Sequence, residues 1–230
     1  MSTEKLQAIT DLLDAHLDSA HIPCAEIMVL RKGKIAYQYS GGYQDFATKK
    51  PLINGAIYRL ASMTKPITGA AIMILHDEGK LTLDDPVSKF IPEFANPTLV
   101  DEFNEVDSSY TTKPASREIT IRDLLTHTSG INYPVFDPQN PASKICFKAG
   151  IQNGFCKEDV YLADNIKKLA KLPLSHNPGE KYSYGMSIDV LGYVVEILSG
   201  MTLADFFEQR IFEPLGMDDT HFYLTEDKYN

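Results

Sequence analysis

Residues 58–67 read YRLASMTKPI, and this segment decides how the rest of the sequence is interpreted. Ser62 and Lys65 form an S-x-x-K pattern, and positions three residues apart lie on one face of a helix. The lysine amine can therefore reach the serine hydroxyl, which suits a nucleophile with an adjacent base. Apolar residues recur at helical spacing over residues 67–75, which predicts a helix that Gly79 ends. The positive end of this helix favours negative charge developing near Ser62.

The S-x-x-K pattern is weak when it stands alone, since a chain of this length carries about one copy by chance. Ser2 and Lys5 form a second copy at a charged terminus where nothing suggests a cleft. A serine that caps a helix beside a surface lysine is the alternative reading of Ser62 and Lys65. To act as a base, Lys65 must lose its proton, and we expect burial in a cleft to lower its pKa.

Length, composition and charge exclude several classes of protein. With 230 residues, 43% of them apolar, the chain can bury one sizeable core or two lobes that share an interface. A net charge of −9 argues against nucleic-acid binding, which needs a basic face to neutralise phosphates. The N-terminus has no apolar signal-peptide core, and no apolar run approaches the length of a membrane span. We therefore expect a cytoplasmic protein that does not bind membranes.

The three cysteines, Cys24, Cys146 and Cys156, do not form a disulfide scaffold or a C-x-x-C motif. We interpret them as buried or incidental thiols, with a bridge between Cys146 and Cys156 left open. The six histidines are spread singly and no H-E-x-x-H motif occurs, so we expect no metal site and no cofactor.

The first 60 residues predict a helix and a hairpin. Leucine and isoleucine recur at helical spacing over residues 6–17, and Pro23 ends that pattern. Two strand-like runs follow, Ala25–Leu30 and Ile35–Ser40, joined by a turn that contains Gly33. We expect the glycines at positions 41 and 42 to end the second strand.

The remainder is predicted to be mainly helical. Helices are indicated by a capping box at Thr120 and Asp123 and by apolar periodicity in three later stretches: residues 160–170, 188–198 and 202–210. Residues 92–118 and 131–157 have no clear periodicity, so they predict cleft walls, lids or poorly ordered insertions. No convincing strand follows Gly200. Because an isolated hairpin is only marginally stable, we expect the sequence to be incomplete.

Further blocks surround the S-x-x-K segment in a fixed order. Together with YRLASMTKPI and Pro92, they are GKLTLDDPV (79–87), ITIRDLLTHTSG (119–130), NPGE (177–180) and FEPLGM (212–217). These blocks resemble those of the serine β-lactamase and penicillin-binding protein superfamily, above all its carboxylesterase branch, often called family VIII esterases. The resemblance spans essentially the whole chain. It implies an α+β, β-lactamase/transpeptidase-like fold, with an antiparallel sheet flanked by helices and a mainly helical lobe. We expect one domain over 1–230, in which 1–60 supply the N-terminal helix and sheet strands and 61–230 the helical lobe.

The resemblance also assigns roles to two tyrosines. In the family pattern P-G-x-x-aromatic-x-Y-S, Tyr182 takes the aromatic position and Tyr184 the catalytic one. A half-buried aromatic is the alternative for Tyr184, and we expect Tyr182 to lie in the core. The sequence departs from the pattern at Gly185, where the family usually has serine. Met186 replaces an asparagine that often contacts a β-lactam carbonyl, which favours an ester substrate.

A third family motif, of K-T-G, H-x-G or W-x-G type, is expected on a later strand, where it supplies a second backbone N–H to the oxyanion hole. No such tripeptide follows Tyr184. We therefore expect this chain to be the N-terminal part of the fold, without the C-terminal strands. Without them, its activity alone and its oligomeric state stay open.

The resemblance implies a metal-independent serine hydrolase that works through an acyl-enzyme. Ser62, Lys65 and Tyr184 are the expected catalytic residues. Small carboxylic esters are the first choice of substrate, with acyl transfer to an alcohol as a variant. β-Lactams or D-alanyl peptides come second, and a binding module or inactive fragment is a further alternative. His127 and Ser129 suggest a Ser/His pair, but the G-x-S-x-G elbow is missing, so we interpret that block as structural.

Overall fold

A computed structural model describes residues 2–53, 55–154 and 160–229. The chain forms two compact units, Met1–Arg59 and Leu60–Asn230.

The first unit consists of one helix and a three-stranded antiparallel sheet. Helix α1 and strands β1, β2 and β3 cover Thr3–Asp18, Cys24–Arg31, Lys34–Asp45 and Lys50–Pro51. The strand order is β1-β2-β3. Lys32 and Gly33 form the tight turn between β1 and β2, both with positive φ, which is the backbone conformation that two-residue hairpins favour. The predicted helix and hairpin are confirmed.

Strand β2 does not end at its two glycines, contrary to our expectation. At Gly42 an added Cβ would lie 2.4 Å from the carbonyl oxygen of Pro23. The neighbouring Tyr43 N–H donates to that same oxygen at 2.8 Å. Glycine therefore continues the strand here because it allows the two backbones to approach closely.

The second unit is built around two helices that pack on each other, α2 over Thr64–Asp77 and α6 over Ser187–Ser199. Their buried apolar residues lie at the centre of one core cluster: Ala71, Ile72, Leu75, Val190, Leu191, Val194 and Val195. Gly200 ends α6 in the left-handed conformation, as the sequence predicts. Around this pair lie short helices: α3 (Ile121–Leu125), α4 (Pro141–Lys148), α5 (Leu162–Leu169) and α7 (Leu203–Phe207).

The stretches without periodicity contain regular structure that the sequence did not reveal. Strands β4 (Thr98–Phe103) and β5 (Tyr110–Pro114) form an antiparallel hairpin, and α4 lies in the second stretch. All five residues of β5 are exposed, so the strand has no apolar alternation to detect. The buried face of α4 contains Ser143 and Cys146 beside apolar residues, which hides its periodicity. Cys146 is a buried free thiol, and Cys156 lies outside the described residues.

After Gly200 the described chain contains short helices and turns and no strand. The Thr202 hydroxyl caps α7 by accepting the Asp205 N–H. A π-helical turn, Glu208–Phe212, and the short helix α8, Glu213–Leu215, follow, and α9 covers Glu226–Tyr229. Within the described residues no single helix is long and apolar enough to cross a membrane. Only α6 taken together with Leu203–Leu215 reaches that length, with a bend of 80° between them.

Candidate active site

Ser62 lies in a 3₁₀ turn, Ala61–Met63, that runs directly into α2. Ala61 has φ +45°, a left-handed conformation that is uncommon for a residue with a side chain. Lys65 follows one turn later and its ammonium donates to Ser62 Oγ at 3.2 Å. The S-x-x-K geometry predicted from the sequence is therefore present.

Tyr184 reaches the same hydroxyl from a distant part of the chain. Its phenol oxygen and Ser62 Oγ share a hydrogen bond of 3.0 Å across 122 residues of sequence. The backbone of this segment is fixed just before the tyrosine, where Ser183 N–H donates to the carbonyl oxygen of His127 at 2.7 Å. The structure thus brings the three predicted catalytic side chains together around one oxygen.

Aromatic rings surround Tyr184 and Lys65. The Tyr184 ring packs against those of His127, Tyr133 and Phe136, with centroid distances of 5.1, 5.5 and 5.9 Å. Lys65 Nζ lies 5.1 Å from the centre of the Tyr184 ring and 5.7 Å from that of Tyr133. The negative faces of these rings stabilise a cation.

The electrostatics favour a charged lysine. Burial lowers the pKa of Lys65, but the interactions with the hydroxyls of Tyr184 and Tyr133 outweigh it, and its pKa is raised. Burial acts in the expected direction, but the net shift of the Lys65 pKa is opposite to the lowering that the sequence led us to expect. Conversely, hydrogen bonding to Lys65 and then to Ser62 lowers the pKa of Tyr184. Both shifts favour a protonated lysine beside a tyrosine that loses its proton more readily.

Tyr133 and Asp189 form a hydrogen-bonded pair that interacts with Lys65. Burial raises the pKa of Tyr133 to about 12, and its hydroxyl donates to Asp189 Oδ2 at 3.4 Å. Burial also raises the pKa of the Asp189 carboxyl, and the charge of Lys65 partly offsets that rise. Asp189 belongs to the first turn of α6, so the core helix and the candidate site are directly connected.

A family model described as Beta-lactamase matches residues 9–229 of this sequence. The chain belongs to the beta-lactamase family. This confirms the resemblance drawn from the sequence blocks, and with it the β-lactamase/transpeptidase-like α+β fold.

Individual relatives in this family support the esterase branch. The chain is 36% identical over 218 residues to esterase EstB of Burkholderia gladioli, which covers 93% of this chain and 52% of EstB. It is 38% identical over 221 residues to protein Rv1367c of Mycobacterium tuberculosis, with 96% and 51% covered. The chain spans about half the length of these curated relatives.

The chain is also similar to a solved structure. EstCE1, described as a hydrolase with promiscuous acyltransferase activity, superposes with a TM-score of 0.82 at 31% identity. The match covers 97% of this chain and 55% of EstCE1. Of these three relatives, two have names that state an activity: EstB is an esterase, and EstCE1 is a hydrolase with promiscuous acyltransferase activity.

The departures from the family pattern after Tyr184 have a structural account. A Cβ at Gly185 would lie 1.9 Å from the carbonyl oxygen of Ile131, so no side chain fits there. Met186 is 1% exposed and belongs to the core. Position 186, directly before α6, therefore presents no side-chain amide.

A buried polar network holds the two loops of the site together. Asn132 donates to Ser143 at 3.3 Å and accepts from the hydroxyls of Ser175 and Ser183 at 3.1 and 3.3 Å. Ser129 and Ser187 share a further hydrogen bond of 2.9 Å. These contacts fix the segment that precedes Tyr133 against the segment that carries Tyr184.

Sequence reasoning did not single out Tyr133, Asp189 or Asn132. Tyr133 follows Gly130 of the ITIRDLLTHTSG block by three residues, and Asp189 follows Tyr184 by five. Their closeness in sequence to the family blocks is the signal that could have pointed to Tyr133 and Asp189. The expectation that Tyr182 lies in the core is wrong, since its side chain is 66% exposed.

Other candidate sites do not assemble. Ser2, from the second S-x-x-K copy, accepts the Lys5 N–H and caps α1. His127 lies against Tyr184 and makes no Ser/His pair with Ser129, whose hydroxyl bonds Ser187 and the Ile131 N–H. Among residues 2–53, 55–154 and 160–229, no group of three or more His, Cys, Asp or Glu side chains could hold a metal ion.

Proposed function

We propose that this chain carries the nucleophile and the proton relay of a serine hydrolase that forms an acyl-enzyme on Ser62 from carboxylic esters. One observation carries the proposal: Ser62 Oγ lies 3.2 Å from the Lys65 ammonium and 3.0 Å from the Tyr184 hydroxyl. A nucleophile, a cation and a proton acceptor within hydrogen-bond reach are what covalent acyl transfer needs. The esterase relative EstB and the hydrolase EstCE1 support the same reaction class.

In the first step the Tyr184 oxygen accepts the proton of Ser62. In this proposal Tyr184 starts as a phenolate beside the Lys65 ammonium, and the directions of the two pKa shifts, lowered for Tyr184 and raised for Lys65, support that pairing. Ser62 Oγ then bonds to the ester carbonyl carbon, and the π electrons of the carbonyl move to its oxygen. The Ser62 N–H and the N-terminal end of α2 stabilise this oxyanion.

The tetrahedral intermediate then collapses. Its carbonyl re-forms, the bond to the leaving oxygen breaks, and the proton held by Tyr184 passes to the departing alkoxide. The acyl group stays on Ser62 until water attacks its carbonyl carbon, with Tyr184 accepting the proton of the water. When this second tetrahedral intermediate collapses, the bond from the carbonyl carbon to Ser62 Oγ breaks and Tyr184 returns the proton to that oxygen. An alcohol in place of water gives acyl transfer by the same sequence of bonds.

Small esters are the proposed substrates. Met186 takes the position before α6 where β-lactamases often have an asparagine that contacts the β-lactam carbonyl, and its side chain is buried in the core. Met63 follows the nucleophile in sequence and is 67% exposed, so an exposed apolar side chain lies next to Ser62. β-Lactams and D-alanyl peptides are the second candidates, and side-by-side assays on both classes separate them.

Substitution of the nucleophile tests the proposal. In a Ser62→Ala variant we expect turnover of short-chain aryl esters to fall by about 10³-fold or more, because acyl-enzyme formation is lost. A fluorophosphonate should add one adduct to Ser62 in the unmodified protein, read by intact mass and peptide mapping. Ser2→Ala is the matched control, since it removes the serine of the other S-x-x-K copy and should keep both signals.

Unchanged turnover in Ser62→Ala would contradict the proposal. Reversible ligand binding without a covalent adduct in the full-length protein would favour a binding module on the same fold.

A further inference from the structure

His127 occupies a backbone position that favours glycine. Helix α3 ends at Leu125, and the N–H groups of His127 and Thr128 donate to the carbonyls of Leu124 and Asp123 at 3.2 and 2.8 Å. This is a Schellman motif, whose left-handed residue is usually glycine. His127 fills it with φ +54°. The left-handed backbone at this position would cost less with glycine than with histidine. The presence of a side chain here therefore indicates a role for the imidazole.

The imidazole packs on the candidate active site. Its ring lies 5.1 Å from the Tyr184 ring at 35° between planes, and 5.9 Å from the Tyr182 ring at 59°. Its Nδ1 is buried and has no hydrogen-bond partner among the described residues. Ring packing, rather than hydrogen bonding by this nitrogen, therefore determines the contact.

A neutral imidazole is suited to this place. Burial, and after it the charge of Lys65, lower the pKa of His127. The ring therefore stays uncharged near neutral pH and does not compete with the Lys65 ammonium for the Tyr184 oxygen.

We infer that His127 is a positioning residue for Tyr184: its ring, set by the left-handed end of α3, fixes the phenol so that the hydroxyl meets Ser62 Oγ. This inference rests on the proposed function, in which Tyr184 moves the proton of Ser62. The main chain of His127 contributes as well, because its carbonyl accepts the Ser183 N–H. One residue thus holds both the backbone and the ring of the tyrosine segment.

Substitutions at position 127 separate ring packing from backbone conformation. His127→Gly and His127→Asn fit the left-handed backbone but remove the ring, whereas His127→Phe keeps an aromatic ring. For the first two we expect kcat on an aryl ester to fall by about 10- to 100-fold, since a small misplacement of a catalytic group is that costly. KM should change little, and His127→Phe should recover most of the kcat. Asn96→Gly is the control for the backbone change, because Asn96 also has a left-handed backbone but is exposed.

A second readout does not depend on turnover. With 3-fluorotyrosine incorporated and the Tyr184 signal assigned by Tyr184→Phe, ¹⁹F NMR follows the titration of Tyr184 in the full-length protein. We expect the pKa of Tyr184 to rise towards its usual value in His127→Gly, because the hydroxyl loses its place beside Lys65 and Ser62. A purely structural histidine would alter thermal stability and leave both kcat and this titration unchanged.

The two readouts keep the proposals apart. If Ser62 is acylated and His127→Gly keeps full kcat and an unchanged Tyr184 titration, the inference is overturned. If the unmodified protein neither turns over esters nor labels on Ser62, the proposed function fails. The Tyr184 titration then decides the inference alone, with a raised pKa in His127→Gly supporting it and an unchanged one overturning it.

Discussion

At the scale of single residues, Gly185 connects the two loops of the site. An added Cβ at this position would lie 1.9 and 2.7 Å from the carbonyl oxygen and carbon of Ile131. It would also lie 3.0 Å from the Cα of Asn132. All three are backbone atoms, which cannot move aside as a flexible side chain could. Any side chain here must therefore displace the loop that leads to Tyr133 or the segment that carries Tyr184.

Introducing at position 185 the serine that is usual in the family should therefore destabilise this protein. We expect Gly185→Ser to lower the free energy of unfolding by about 1–3 kcal/mol, the usual cost of overpacking, and to slow acylation of Ser62. Urea unfolding and fluorophosphonate labelling measure the two effects. Gly154→Ser is the control, since Gly154 is exposed and an added Cβ there meets no described atom within 4 Å. Equal stability of the two variants would contradict this account.

The residues of the site differ in how far the sequence reveals them. Ser62 and Lys65 are close in sequence, so helical spacing alone places them together, and the structure agrees. Tyr184 is 122 residues from Ser62, so only the family pattern could propose their contact. The raised pKa of Lys65 could not be predicted, because it depends on contacts with Tyr184 and then Tyr133, both distant in sequence.

At the scale of elements, α3 is held by a carboxylate that the sequence identified as half of a capping box. Asp123 accepts from the N–H and the hydroxyl of Thr120 and forms two bonds, of 2.6 and 2.9 Å, with Arg117. Its side chain is 6% exposed. Burial raises its pKa, but the hydrogen bonds from Arg117 and Thr120 outweigh that effect and hold the pKa below its usual range. The short helix that positions His127 thus depends on an ion pair whose carboxylate is buried.

Loss of Arg117 should destabilise this element. In Arg117→Met the Asp123 carboxylate keeps its Thr120 bonds but loses its counter-charge. We expect unfolding to become easier by about 1–3 kcal/mol near neutral pH, at the lower end because Arg117 is itself half-exposed. Arg122→Met, within α3 beside Asp123, is the matched control, since the pair of Arg122 with Asp84 is exposed and should matter far less.

The pH dependence follows from the direction of the shift. A lowered carboxyl pKa contributes stability above the unfolded-state pKa, and that stability is lost as pH falls through the folded-state value. The difference between Arg117→Met and the unmodified protein should therefore be present at about pH 7 and shrink in urea unfolding at about pH 3. A difference that stays constant over this range would contradict the assigned role of Asp123.

In the second unit, the long helices with a buried apolar face were the ones that the sequence could predict from periodicity. Helices α2 and α6 bury several apolar side chains each, and both were recognised from their periodicity. Strand β5 buries none, so its pairing with β4 is fixed by backbone hydrogen bonds that leave no trace in the apolar pattern. Tertiary pairing, rather than local preference, forms that hairpin.

At the scale of the whole molecule, the apolar core is unevenly distributed. All the buried apolar residues of the described chain lie between Ala71 and Phe212, within the second unit. In the first unit, α1 has no buried residue and its sheet has only half-buried or exposed positions. Ser62, Lys65, His127 and Tyr184 all belong to the unit that contains the core.

This distribution predicts where the 230-residue chain opens first. Local stability follows buried apolar contact, so amides of β1 and β2 should exchange with deuterium sooner than those of α2 and α6. The hairpin of β4 and β5 is the matched comparison, because it too is exposed but is joined to the core. Leu99 of β4 is 7% exposed, and backbone bonds of 2.8 and 3.1 Å connect Thr98 and Val100 to Leu174. Hydrogen exchange read by mass spectrometry should therefore rank β4 between β1 and α6. Protection of β1 and β2 equal to that of α6 would show that the first unit is stabilised by more than its own buried contacts.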